Sequence, residues 1–204
     1  MSGASAAART TIVIFAGGHA TRLPGKLSLP VGGEPMLARV HRRLVDGRRP
    51  CVVSARAPLE PALAAIVNAP VVIDERGDVG PLGALVTVAS RVSTPLFFAA
   101  AGDLPDIDAA FVDDLETEYD MLARSGAEPE AVVPAWPNGD LEPLAALYNT
   151  RAAVRAGALA LDEGGRRLTS MLDRMHVARF PVRPQDEPRL ANVNTPRDYD
   201  AYRR

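Results

Sequence analysis

Two adjacent glycines, an arginine and a lysine, Gly17, Gly18, Arg22 and Lys26, follow directly on the apolar, β-branched run 11–15. A glycine pair after a buried strand lets the backbone turn sharply and bring its N–H groups close to an anion, because no Cβ blocks the approach. Arg22 and Lys26 add two positive charges to the same loop. An oxyanion-rich ligand such as a nucleoside triphosphate is the simplest occupant. Two other phosphate-binding patterns fail on spacing. A Walker loop ending at Gly25 and Lys26 would need glycine at Ala20 and a hydroxyl residue at Leu27. A dinucleotide fingerprint needs three spaced glycines opening a helix, and Leu23 and Pro24 stand where that helix should begin.

Further along, polar residues close other apolar runs: Ser54 after 51–53, Asp74 after 71–73 and Asp103 after 95–101. These runs read as strands. Helical spacing falls between them, at 35–46 with Gly47 as its stop, at 61–68, from Gly80 through 92, and at 107–124. The second half reads as strands at 131–135, 142–148 and 176–182, helices at 154–161 and 168–175, and a closing helix from Arg197. Residues 181–188, rich in proline, read as a surface loop. Strands alternating with helices predict an α/β fold, a three-layer, mostly parallel sheet with helices on both faces. Ligands of such sheets sit at the carboxyl ends of the strands, so Gly17, Gly18, Ser54, Asp74 and Asp103 should converge on one rim.

Composition bounds the rest. The chain has 204 residues, 47% of them hydrophobic, which predicts one domain over 1–204 with residues 1–8 as a frayed start. A net charge of −2 offers no field for nucleic acid or an anionic membrane. The single Cys51, expected as a small buried apolar residue, excludes an internal disulfide framework, and the absence of a leader or long apolar span predicts a cytoplasmic protein.

The pieces FAGGHATR with Lys26, GPLGAL from Gly80, GDLP from Gly102, EPLAALY from Glu142 and NVNTP from Asn192 resemble, in order, the motifs of the molybdenum cofactor guanylyltransferases. The resemblance implies a Rossmann-like nucleotidyltransferase fold and transfer of GMP from GTP to the phosphate of molybdopterin, with Mg²⁺ required and pyrophosphate released. Backbone of Phe15, Ala16 and Gly17 would then contact base and ribose, Gly17 and Gly18 would cradle phosphate, and Arg22 and Lys26 would neutralise it. Asp103 would hold Mg²⁺, Asp74 would accept the paired N–H donors of guanine, and Asn192 and Asn194 would serve the metal or the second substrate. Exchange with cofactor-supplying proteins and with molybdoenzymes is implied as well. The loop departs from the family pattern: Arg22-Leu23-Pro24-Gly25-Lys26 is shorter and lacks the acidic residue before the lysine. Ser54 replaces an asparagine common near the base.

Each assignment has a plainer rival. Asp103 could cap the next helix, Lys26 could be solvated, Arg22 could pair with Glu34, and the asparagines could simply turn the chain. Glu75 or Asp78 could take the place of Asp74. At the level of function, the rivals are a cytidylyltransferase, a guanylyltransferase for a small phosphorylated acid, and a silent nucleotide-binding module.

Overall fold

The computed structural model of the chain describes residues 8–17, 23–74 and 79–202. The predicted frayed start, Gly18, Arg22, Glu75 and Asp78 lie wholly or largely outside them, Ala8 being the one start residue described. Among the described residues the sheet is seven-stranded, in the order β5-β4-β1-β6-β8-β7-β9. Its strands are β1 (Thr10–Phe15), β4 (Cys51–Ala55), β5 (Val71–Ile73), β6 (Leu96–Ala101), β7 (Ala131–Ala135), β8 (Ala145–Asn149) and β9 (Val177–Pro181). A small antiparallel ribbon, β2 (Pro30–Val31) with β3 (Glu34–Pro35), stands apart from the sheet. Strands β5, β4, β1 and β6 are parallel neighbours. β8 runs against both of its neighbours, β6 and β7, while β9 is parallel to β7.

Alternation of side chains along the central strands creates two cores, one on each face. Ile12, Ile14, Phe98 and Leu147 point to the face covered by α1 (Met36–Leu44), α2 (Pro61–Val67) and α4 (Ala109–Arg124). Val13, Phe15, Phe97 and Tyr148 point to the face covered by α3 (Pro81–Ala89), α5 (Thr150–Asp162) and α6 (Leu168–Leu172). This is the three-layer α/β architecture expected from the sequence. The terminal helix α7 (Pro196–Tyr202) packs through Tyr199 and Tyr202 on Val31 and Met36 of the ribbon region, and Tyr199 Oη donates to Pro30 O at 2.9 Å. Burial pushes the Cys51 thiol up to about 12, which fits an inert packing residue.

Several boundaries differ from the sequence reading, each for a local reason. The strand expected at 142–148 starts only at Ala145, because Pro143 has no N–H for the ladder and residues 142–144 run along the rim. Helix α1 ends at Leu44 rather than at Asp46, since the Asp46 carboxylate takes the Arg48 N–H at 2.9 Å and bends the chain first. Helix α4 starts at Ala109 because Asp108 caps it, accepting the Phe111 N–H at 3.0 Å. α5 reaches back to Thr150 on an equivalent cap by Asn149, which accepts from Ala152 N at 3.0 Å.

Candidate active site

The end of β6 is held hard against the end of β1. Gly102 N–H donates to Phe15 O at 3.0 Å, and a Cβ on Gly102 would stand 3.0 Å from that same oxygen and 3.2 Å from Leu27 Cδ2. Only glycine allows this approach. It sets Asp103 beside the Phe15-Ala16-Gly17 backbone, so the first and fourth strand ends of the sequence reading do share one rim. Because β8 is antiparallel, with Ala145 opposite Ala100, its beginning rather than its end reaches the same rim and brings Glu142, Pro143 and Leu144 there.

Lys26 comes from the loop that continues β1. Gly25, in the left-handed region at φ 66°, precedes a 3-10 turn over Lys26–Ser28 that directs the lysine inward. Its ammonium donates to the Asp103 carboxylate and, at 2.9 Å, to Asn194 Oδ1. Both Lys26 and Asp103 side chains are 15% exposed. A pair this sheltered from water is screened little, and either member alone would be left uncompensated. Lys26 is therefore not a solvated loop lysine. Asp103 is not a helix cap either, since Asp108 fills that role.

The asparagine turn is also better defined than a plain bend. Thr195 and Asp198 cap α7 reciprocally: Asp198 Oδ2 accepts from Thr195 N at 2.8 Å and Asn194 N at 3.0 Å, and Thr195 Oγ1 accepts from Asp198 N at 3.2 Å. The asparagine side chains are thereby spared for other contacts. Val193 is fully buried and its N–H donates to Asp103 O at 3.0 Å, which locks the turn to the rim. Asn192 lines the cavity beside it.

The cavity has a volume of about 490 Å³, within the range of small-molecule sites. Phe15, Ala16, Gly17, Lys26, Asp103 and Asn192, all expected at the site, line it. Asp74 does not. It is 6% exposed, its N–H donates to Ala55 O at 2.8 Å, and Thr87 Oγ1 of α3 lies 3.5 Å from its carboxylate. Ser54 is buried within β4, where its carbonyl accepts from Ala16 N at 2.7 Å. Glu34, the rival partner for Arg22, is bound by Arg42 through Nη2 to Oε1 at 2.5 Å. Glu142 also lines the cavity, although no role falls to it in the sequence reading. Burial raises its carboxyl above the usual range, Asp140 and Asp103 add to that, and the indole hydrogen bond of Trp136 opposes it. Its place in EPLAALY, next to a proline, was the available signal.

An open α/β sheet with glycine backbone, a sheltered lysine and an aspartate at its strand ends defines a nucleotide-binding protein of the nucleotidyltransferase type. Residues 12–177 match the MobA-like NTP transferase domain, and the chain belongs to that family. A probable molybdenum cofactor guanylyltransferase of Thermococcus kodakarensis is 32% identical over 139 residues, 67% of this chain and 65% of that protein. The chain thus spans slightly less than two thirds of that relative. The crystal structure of molybdopterin-guanine dinucleotide biosynthesis protein A from Archaeoglobus fulgidus superposes with a TM-score of 0.74 at 20% identity, covering 94% of this chain and 96% of that one. A cytidylyltransferase from Leptospira borgpetersenii superposes with a TM-score of 0.69 at 17% identity, over 94% and 83% of the two chains. These likenesses establish the fold. Among the described residues no helix is long and apolar enough to cross a membrane.

Proposed function

We propose that this chain is a molybdenum cofactor guanylyltransferase, moving GMP from GTP to the phosphate of molybdopterin. An oxygen of the acceptor phosphate forms a bond to the α-phosphorus of GTP. The bond from that phosphorus to the oxygen bridging to the β-phosphorus breaks, and pyrophosphate leaves with the electron pair. The observation that carries the reading is the meeting of the Lys26 ammonium and the Asp103 carboxylate in one cavity floored by the Phe15-Ala16-Gly17 backbone. No covalent catalyst is required, because the barrier lies in gathering two polyanions and in the charge that builds on the leaving group.

In this reading Gly17 and Gly18 donate backbone N–H groups to phosphate, and Arg22 and Lys26 neutralise the triphosphate. The backbone of residues 15–17 contacts base and ribose. Asp74 is the proposed acceptor for guanine N1–H and N2–H. The donor set suits Mg²⁺. Among the described residues no group of three or more histidine, cysteine, aspartate or glutamate side chains could form an all-protein cage. Mg²⁺ takes one or two carboxylates and completes its shell with phosphate oxygens and water, and Asp103, with Asn192 and Asn194 as amide neighbours, offers that. The ion would polarise the phosphoryl oxygens and offset the leaving group's charge. Asp103 would hold it, and Lys26, relieved of neutralising Asp103, would turn to the triphosphate.

The test is release of pyrophosphate with molybdopterin as acceptor, comparing GTP, CTP, ATP and UTP in the presence of Mg²⁺. Turnover is expected with GTP. Turnover with CTP alone would make the chain a cytidylyltransferase, and binding without release in every case would make it a silent module. Work in the cytoplasm, with hand-over from cofactor-supplying proteins and delivery to molybdoenzymes, belongs to the same proposal.

A further inference from the structure

Phosphate chemistry accounts for Lys26 and Asp103 but leaves a second carboxylate unexplained. Glu142 lines the same cavity, and a carboxylate facing two polyanions is repulsive unless it meets hydrogen-bond donors. It is also firmly held. Trp136 Nε1 donates to Glu142 Oε1 at 2.7 Å, and Glu142 N–H donates to Pro134 O at 3.0 Å. The turn between them is closed by Trp136 N to Asp140 O and Gly139 N to Trp136 O, both at 2.8 Å, and by Asn138 Oδ1, which accepts from Asp140 N at 3.0 Å. One carboxylate oxygen is thus anchored on a rigid hairpin, and lone pairs remain for a ligand. Sheet order says which ligand. The glycine loop and Asp74 follow β1 and β5, and Ser54 lies in β4 between them, all on one side of β6, whereas Trp136 and Glu142 stand in the connection from β7 to β8 on the other.

We propose that Glu142, oriented by Trp136, is the residue that selects the acceptor, receiving the adjacent ring N–H and exocyclic amino donors of its pterin. This rests on the transfer reaction proposed above. A carboxylate meets such a donor pair with two parallel hydrogen bonds, and a site built this way rejects an analogue that lacks one donor. The probes are a pterin phosphate and its lumazine counterpart, in which an oxo group replaces the 2-amino group. Binding is followed by their fluorescence in the full chain with Mg²⁺ and GTP present. The parent protein is expected to favour the pterin phosphate by about 10- to 100-fold, and Glu142→Gln to erase that preference. Trp136→Phe should reduce the preference part-way, because the carboxylate keeps its charge but loses its anchor. With molybdopterin as acceptor, Glu142→Gln should raise the acceptor KM more than it lowers kcat. An undiminished pterin-over-lumazine ratio in Glu142→Gln, or no ratio in the parent, would overturn the assignment. If the parent releases pyrophosphate from GTP while that ratio stays put, only the role of Glu142 fails. If no nucleotide is turned over, the transfer reading fails with it.

Discussion

Two clusters, each pairing cations with carboxylates, sit at opposite ends of the parallel strands and behave in opposite ways. At the rim, one lysine meets one carboxylate and one amide: Lys26 with Asp103 and Asn194. Ahead of β4, the 6%-exposed Arg49 side chain is shared among three carboxylates, with Nη1 3.0 Å from Asp46 Oδ2, Nη2 2.7 Å from Glu116 Oε2, and Asp113 bonded to the same Nη2. Arg48 adds a second cation to Asp46 and Asp113. The second cluster ties the approach to β4 onto α4, and none of its residues lines the rim cavity. Over-satisfied charge fastens the fold. Singly satisfied charge beside open space can exchange partners, which is what a site for charged substrates needs.

Replacing a rim charge should give the largest effect. Asp103→Asn is expected to lower Mg²⁺-dependent pyrophosphate release by about 1,000-fold or more, and Lys26→Ala by about 100- to 1,000-fold. Both should leave the unfolding free energy within about 2 kcal/mol of the parent, because each leaves one partly sheltered charge behind. Unchanged rates in both variants would break the comparison at the rim. Arg49→Met should do the reverse. It strands carboxylates that Arg48 can satisfy only in part, so a loss of about 2–4 kcal/mol in denaturant unfolding is expected, reduced by the partial exposure of Asp113. Turnover per folded molecule should hold.

The same cluster makes a pH prediction. Burial works against the ionised forms of Asp46 and Asp113, but the hydrogen bonds from Arg48 and Arg49 outweigh it and hold both carboxyls below their ordinary range. A carboxyl depressed by folding stabilises the native state above its unfolded value of about 4 and stops doing so as pH falls through its folded value. Urea midpoints taken downward from pH 7 should therefore fall steeply below about pH 4 in the parent, and the gap to Arg49→Met should narrow there. The smallest effect belongs to Arg42→Ala. The Arg42 side chain is 60% exposed, so its pair with Glu34 is screened by water and thermal midpoint and turnover should match the parent.

Much of this was readable in the chain. Apolar runs closed by Gly17, Asp74 and Asp103, with helical spacing between them, yield the alternating fold and most of the rim, since burial on both faces of a parallel sheet leaves a continuous apolar signature. Strand direction was not readable there. The run 145–149 is apolar on both faces whichever way it points, so nothing in it announced that β8 runs backward and brings its start to the site. The hydrogen bond from Trp136 to Glu142 was hidden for the same reason, because it exists only once the hairpin closes. The contact of Lys26 with Asn194 spans most of the chain and depends on α7 docking against the ribbon, a packing event without a local motif. Asp74 ends a strand as expected, but that strand, β5, stands two places from β1 in the sheet, and Asp74 is not among the residues lining the cavity.

The reversed strand β8 also divides labour across the enzyme's surface. Lengthening or reshaping the hairpin at 136–144 would remodel one wall of the cavity without shifting β1, β4 or β5, whose carboxyl ends belong to other connections. A scaffold wired in this way can be refitted for a new recipient molecule while the machinery that handles the activated donor keeps its shape.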